Sequence, residues 1–295
     1  MLQGIVVKAA GGFFTVRDDI GKEFVCRARG VLKRGQATLI IGDRVYFSAV
    51  EDTSSRAPEG IIEKVLPRKN SLYRPPIANV DQLAIIMSLK SPPCDWQLVS
   101  RLLVLAEKED LSAFICLNKS DLVKEKDITK INELLQPYPY SVLFTSALKG
   151  EGIDLFRDKL AGRSSVLAGP SGVGKSSMLN ALQPGLSLQT GTVSDKIKRG
   201  KHTTRQAELL ALNFGGLVAD TPGFTRLDFS GIEPAELSAY FPEYEPFEGQ
   251  CGFRDCVHLT EPECAVRDEV GRAINKMRYE HYKYFMEELN KQEAY

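Results

Sequence analysis

Residues 169–176 read Gly-Pro-Ser-Gly-Val-Gly-Lys-Ser, the pattern G-x-x-x-x-G-K-[ST]. An apolar run, residues 165–168, stands directly before it, and a run with helical spacing, residues 177–182, directly after. Strand, glycine-rich turn and helix in that order leave few folds open. The glycines let successive backbone N–H groups curl round an anion at a helix N-terminus, where the dipole favours negative charge. Lys175 would reach the outer phosphates of a nucleoside triphosphate, and the Ser176 hydroxyl would ligate Mg2+. Gly169, Pro170, Ser171, Gly172, Val173, Gly174 and Ser177 complete the phosphate cradle.

The surrounding chain supports an α/β domain. Apolar stretches at residues 81–88, 113–117, 141–144 and 165–168 read as strands. They alternate with helical patterns at 95–107, 128–135 and 153–160, the first with Asp95 as its N-cap. Residues 209–212 and 217–219 flank Asn213-Phe214-Gly215-Gly216 and predict a hairpin. The pattern implies a mostly parallel sheet covered by helices.

Three further segments follow predicted strands, where open α/β sheets bind ligands. Asn118-Lys119-Ser120-Asp121 matches N-K-x-D. An ionised carboxylate only accepts hydrogen bonds. Asp121 therefore suits guanine, which offers two adjacent donors, and not adenine, which presents an acceptor at N1. Asn118 would bridge the base and nearby loops, and the Lys119 stem would lie along the base plane. Thr145-Ser146-Ala147 resembles a loop whose Ala N–H meets the guanine carbonyl. Asp220-Thr221-Pro222-Gly223 would hold Mg2+ through Asp220 and the γ-phosphate through the Gly223 N–H. The polar stretch around Gly200-Lys201-His202-Thr203-Thr204-Arg205 has the makings of a switch loop. One of its threonines, Thr203 or Thr204, would complete the Mg2+ shell; Thr204 is favoured.

Cys251, Cys256, His258 and Cys264 supply three thiolates and one imidazole within fourteen residues. Such a set predicts a closed structural zinc site, replacing a hydrophobic core that the segment is too polar to build. At the other end, residues 1–66 show five short strand-like runs punctuated by Gly and Asp pairs. They fit a small oligonucleotide-binding (OB) barrel, with an SH3-like barrel fitting nearly as well. The chain is neutral overall, yet residues 1–74 carry thirteen Lys and Arg against eight Asp and Glu, a net +5. That asymmetry predicts a polyanion-facing barrel.

The base motifs precede the phosphate loop, the reverse of the order in ordinary small GTPases. A binding site needs proximity in space and not chain order, so a circularly permuted chain builds the same pocket. This order, with a basic barrel in front and a Cys/His cluster behind, resembles the RsgA (YjeQ/YloQ) family over the full length. The resemblance implies a GTPase that binds the 30S ribosomal subunit late in its maturation, is stimulated by it, and touches rRNA through its outer domains. One departure from Ras-like enzymes stands out: Phe224 follows Asp-Thr-Pro-Gly, where a glutamine would orient the attacking water. Slow intrinsic hydrolysis is expected, and His202, in the switch loop, is the candidate substitute.

The domains expected are a barrel at 1–68, a permuted GTPase at 69–228 and a zinc-binding module at 229–295. No run reaches the roughly 18 apolar residues of a membrane span, and the first residues do not read as a signal peptide. A cytoplasmic, membrane-free monomer that binds GTP or GDP is the resulting expectation. The competing reading is a signalling GTPase that docks on proteins without touching RNA.

Overall fold

The computed structural model describes residues 1–30, 38–50, 58–72, 76–186, 208–220 and 229–293. The chain forms two compact units, one of Met1–Gln82, Asp154–Ala168 and Lys175–Thr225, the other of Leu83–Ile153, Gly169–Gly174 and Arg226–Tyr295.

The first unit begins with a closed barrel of β1 (Leu2–Ala10), β2 (Phe13–Asp18), β3 (Glu23–Ala28), β4 (Arg44–Val50) and β5 (Glu59–Val65). The strands close in the order β1-β2-β3-β5-β4, and β3 runs parallel to β5. That order and the parallel pair fit the OB type and exclude an all-antiparallel SH3-like barrel. Alternating residues point inward, so Val6, Val16, Phe24, Cys26, Val45, Phe47 and Ile62 form the barrel core.

Residues 67–72 and 76–80 are tied down by hydrogen bonds. The fully buried Asp43 carboxylate accepts a fork from Arg68, at 2.6 and 2.9 Å, and the Ile40 N–H at 2.8 Å. β6 (Ser71–Leu72) pairs with β7 (Ile77–Ala78), and Asn70 exchanges two hydrogen bonds with the Val80 backbone. Asparagine side chains that satisfy backbone groups substitute here for a longer ladder. The same unit carries most of α3 (Ile153–Leu160), α4 (Lys175–Leu182), and the strands β11 (Ser164–Ala168), β12 (Leu209–Ala211) and β13 (Leu217–Asp220).

The second unit contains β8 (Gln82–Ser88, its first residue excepted), α1 (Trp96–Lys108), β9 (Ser112–Asn118), α2 (Glu125–Leu134) and β10 (Ser141–Phe144). Within this unit the strands lie in the order β10-β9-β8, and within the first unit in the order β11-β13-β12. β9–β10 and β11–β13 are parallel, and the β12–β13 hairpin is antiparallel, as the Asn213–Gly216 turn predicts. β8 is buried throughout. Asp95 caps α1 by accepting the Leu98 N–H at 2.9 Å, and Val99, Leu102, Leu103 and Ala106 form its inner face.

The C-terminal region contains two helices, α5 (Ala265–Asp268) and α6 (Lys276–Glu293), separated around Gly271 with φ +86°. The module also has a real core. Phe229, Phe241, Tyr244, Tyr282 and Phe285 pack with Val266, Ile274, Met286 and Leu289, and Val104 of α1 joins them. These apolar residues are spread from 229 to 289, so no short window reveals them.

Arg278 is wholly buried, pairs with Glu243 at 2.8 and 3.3 Å, and lies 4.3 Å from the Phe241 ring centroid. Arg101 of α1 forks onto Glu288 of α6 and stacks between Phe229 and Phe285. The module is therefore fastened to α1 by one ion pair, Arg101–Glu288, as well as by apolar contact. Among the described residues no helix is long and apolar enough to cross a membrane.

Candidate functional site

The glycine-rich turn leaves β11, all five of whose residues are buried. Gly169 has φ +140°, and a Cβ there would sit 2.0 Å from the Ile86 carbonyl oxygen. Gly174 has φ +99°, and a Cβ there would fall 2.3 Å from Asn118 Nδ2. Both positions therefore accept only glycine, for backbone and space together. Val173 is buried between them and anchors the turn, while Pro170, Ser171 and Gly172 remain partly or fully exposed. Lys175 opens α4, so Lys175, Ser176 and Ser177 stand in the first turn of a helix whose Met178, Leu179 and Leu182 are buried. The first turn of a helix is where backbone N–H groups and the dipole favour an anion.

Asn118, at the end of β9 and 2% exposed, is the hub. Its Nδ2 donates to the Val173 carbonyl at 2.9 Å, and its Oδ1 accepts the Ala147 N–H at 3.1 Å and the Thr145 hydroxyl at 3.4 Å. One carboxamide thus links the N-K-x-D segment, the T-S-A loop and the glycine-rich turn. Lys119 sits at φ +63°, and its ammonium donates to the carbonyls of Ser91 and of Gly172, the latter at 2.7 Å. Its stem is thereby held across the turn. Asp121, in the short turn Ser120–Leu122, accepts the Ser146 hydroxyl at 2.5 Å, and the Ser120 N–H donates to the Thr145 carbonyl. The Cys116 thiol contacts the Thr145 hydroxyl at 3.2 Å; burial pushes its pKa up to about 12, so it is a neutral core group and not a nucleophile.

β13 ends at Asp220, whose backbone registers with Leu167 of β11. Thr221 and Pro222, which follow it, lie outside the described residues. His202, Thr203, Thr204 and Gly223 lie outside the described residues. Sequence reasoning named Asn118 and Thr145 but not the Val173 carbonyl as the acceptor of Asn118, nor the Ser91 carbonyl. A backbone carbonyl carries no side-chain signature, which explains both of these.

The metal cluster is compact. Cys251, Cys256 and Cys264 Sγ lie 3.6, 3.5 and 3.4 Å from His258 Nδ1, and all four donor atoms fall within 4.8 Å of one another. A tetrahedral zinc with ordinary Zn–S and Zn–N bonds requires S···N separations of about 3.6 Å. Three thiols and an imidazole converging at these distances fit one metal ion bound through Nδ1. The loop is braced from outside: the Glu261 carboxylate accepts three backbone N–H groups, and Tyr279 and Tyr282 donate to the His258 and Val257 carbonyls. A metal at this cluster would add to an aromatic core and not replace one, which corrects the expectation from composition.

The comparisons agree with this geometry. The RsgA GTPase family model matches residues 65–230, and the RsgA N-terminal domain model matches residues 3–56. A relative from Moorella thermoacetica, named small ribosomal subunit biogenesis GTPase RsgA, is 47% identical over 98% of this chain and 97% of its own. The same-named protein of Geobacillus thermodenitrificans is 45% identical over 98% of both chains. The crystal structure of YjeQ from Thermotoga maritima superposes with a TM-score of 0.84 at 40% identity, over 98% of each chain. YloQ, described as a circularly permuted GTPase, gives 0.81 at 36% identity, over 99% of this chain and 96% of its own. Permuted motif order, OB-type barrel, Cys/His cluster and full-length similarity coincide, and the chain belongs to the RsgA GTPase family.

Proposed function

We propose that this chain is a GTP hydrolase that acts late in assembly of the small ribosomal subunit, is stimulated by that subunit and contacts its rRNA. The observation that carries the nucleotide reading is the three-way bonding of Asn118, which fastens the base loops to the phosphate turn. In this reading Asp121 accepts two hydrogen bonds from guanine, with Ser146 fixing its carboxylate. Ala147 N–H meets the base carbonyl, and Lys119 covers the base plane. The N–H groups of Gly169–Gly174 and the Lys175 ammonium hold the phosphates.

Ser176, Asp220 and Thr204 are the proposed Mg2+ ligands, and Mg2+ when bound neutralises charge on the transferred phosphoryl group. Gly223 N–H and Lys175 stabilise the same oxygens. His202 orients the attacking water, in place of the glutamine that Phe224 displaces.

The Cys251, Cys256, His258 and Cys264 site is assigned to one structural zinc ion, since four protein donors leave no open position. The barrel supports RNA contact through a cation laid over an exposed ring, Arg27 over Phe13 at 4.7 Å. We place the working boundaries at 1–68, 69–228 and 229–295, and read the protein as a cytoplasmic monomer that works free of the membrane, where its substrate subunit is made.

The test is GTP turnover with and without purified 30S subunits. The account predicts slow intrinsic hydrolysis and a large stimulation that falls steeply with salt, because phosphate contacts release counterions. Turnover unchanged by subunits contradicts it. His202→Ala is expected to abolish most of the stimulation while leaving GTP affinity in place.

A further inference from the structure

Apart from the nucleotide loops and the metal cluster, the first unit holds an open cleft of about 570 Å3. Its barrel wall has a regular construction. Ile5 of β1 registers with Arg17 of β2 on one side and with Arg44 of β4 on the other. Directly paired residues project from the same face. Since the neighbouring Val6 belongs to the core, the two guanidinium groups flank Ile5 on the outside of the barrel. Arg163 and Ser164, at the start of β11, line the same cleft.

The charges there are unevenly satisfied. Arg44 has no side-chain partner among the described residues, and Arg163 donates only to the neutral carboxamide of Gln82, at 3.0 Å. Arg17 shares Glu23 at 3.4 Å. The acids of the cleft are mostly engaged. Asp18 accepts the backbone N–H groups of Ile20 and Lys22, and Asp81 accepts the Ser164 N–H and the Lys69 ammonium. Asp19 alone among them has no partner among the described residues. The Ser164 hydroxyl is buried and has no hydrogen-bond partner among the described residues. A buried hydroxyl without a partner costs free energy until something pairs with it.

We propose that this cleft is a second phosphate-binding site, sized for one nucleotide unit. Arg17, Arg44 and Arg163 meet the phosphate oxygens, Ser164 adds a hydrogen bond, and Asp19 accepts from a sugar hydroxyl. The volume lies within the ordinary range for small-ligand clefts. β11 carries the glycine-rich turn at its carboxyl end and this cleft at its amino end, about 16 Å away at about 3.3 Å per residue. The site is therefore separate from the proposed GTP site and does not depend on that assignment. The unit bound is either a free nucleotide or one nucleotide of an RNA strand, both recognised by the same phosphate chemistry.

The experiment uses the full chain loaded with one equivalent of Mg2+ and GDP. Calorimetric titrations follow with adenosine 5′-monophosphate and, separately, with a six-residue oligoadenylate. The expected result is one saturable site for at least one probe, weakened about tenfold by Arg17→Ala and by Arg44→Ala, as loss of a charge-assisted hydrogen bond implies. Lys64→Ala, which removes an exposed barrel charge outside the cleft, leaves that site unchanged. Binding of the monophosphate assigns a free nucleotide; binding of oligoadenylate alone assigns an RNA strand. GTP turnover of Arg44→Ala without probe stays at the wild-type rate, which separates this site from the catalytic one. Failure of both probes to bind, or equal weakening by Lys64→Ala, overturns the proposal.

Discussion

The barrel and the Cys/His-rich module are similar in size and hold together by different means. In the barrel, five strands close on themselves, and backbone ladders do most of the joining round a core of seven apolar side chains. Among its described residues the module has no sheet. Its turns and two helices are joined by stacked rings, a buried arginine, four metal donors and a face of α1. A closed ladder spreads its stability over many equivalent bonds, whereas the module concentrates it in a few side chains. Single substitutions should therefore separate the two regions clearly.

The largest separation is expected from the metal. Structural zinc supplies about 10–16 kcal/mol of apparent binding free energy in small sites, as much as a whole domain's stability. Cys264 is both a donor and a core residue. Cys264→Ala should lose the one zinc ion, read by elemental mass spectrometry. Amide exchange across residues 251–268 should rise sharply while that of the barrel strands stays unchanged. Faster exchange in both regions would erase the distinction drawn here.

Buried ion pairs come next. Arg278→Ala leaves Glu243, itself nearly buried, with no countercharge, and should cost about 3–5 kcal/mol in urea denaturation. The double variant Arg278→Met with Glu243→Leu should recover most of that loss. The barrel has a parallel case in Arg68 and Asp43, but Arg68 is partly exposed and water can replace it. Arg68→Ala should cost less, about 1.5–3 kcal/mol. Within the barrel core, Ile62→Val should cost about 1 kcal/mol.

The smallest effect concerns pH. His281 of α6 bonds Ser100 of α1 at 2.8 Å, and burial, helped by the nearby Arg278 charge, lowers its pKa from 6.5 to about 4. The unfolded chain takes up a proton at higher pH than the folded one. Stability from this contact is whole above about pH 6.5 and is lost as pH falls towards 4. His281→Gln should flatten the fall in stability across that window, measured by denaturation at fixed zinc.

Much of this arrangement is legible in the sequence where chemistry is local. Gly169–Ser176, Asn118–Asp121 and the Cys/His spacing each carry their meaning within a few positions, and strand placement follows from apolar runs bounded by turns. What escapes is contact between distant positions. Arg278 pairs with Glu243 35 positions away and Arg101 with Glu288 187 away, with no periodic trace of either pairing. The segment after Pro67 looks slack because its order comes from asparagine side chains bonding the backbone, which composition cannot distinguish from a solvated loop. Asn118 is visible as a motif residue, yet its role as a three-loop bond depends on carbonyl positions that only the fold supplies.

The central claim is that Asp121 selects guanine within a pocket held by Asn118. Its most direct test is the nucleotide preference of Asp121→Asn. The carboxamide replaces an acceptor with a donor, so it should reject the guanine 2-amino group and accept the 2-oxo group of xanthine. Turnover of GTP is predicted to fall by at least about tenfold while xanthosine triphosphate becomes the better substrate, consistent with the loss of a charge-assisted contact. GTP hydrolysis undiminished in this variant, with no gain for xanthosine triphosphate, would contradict the account.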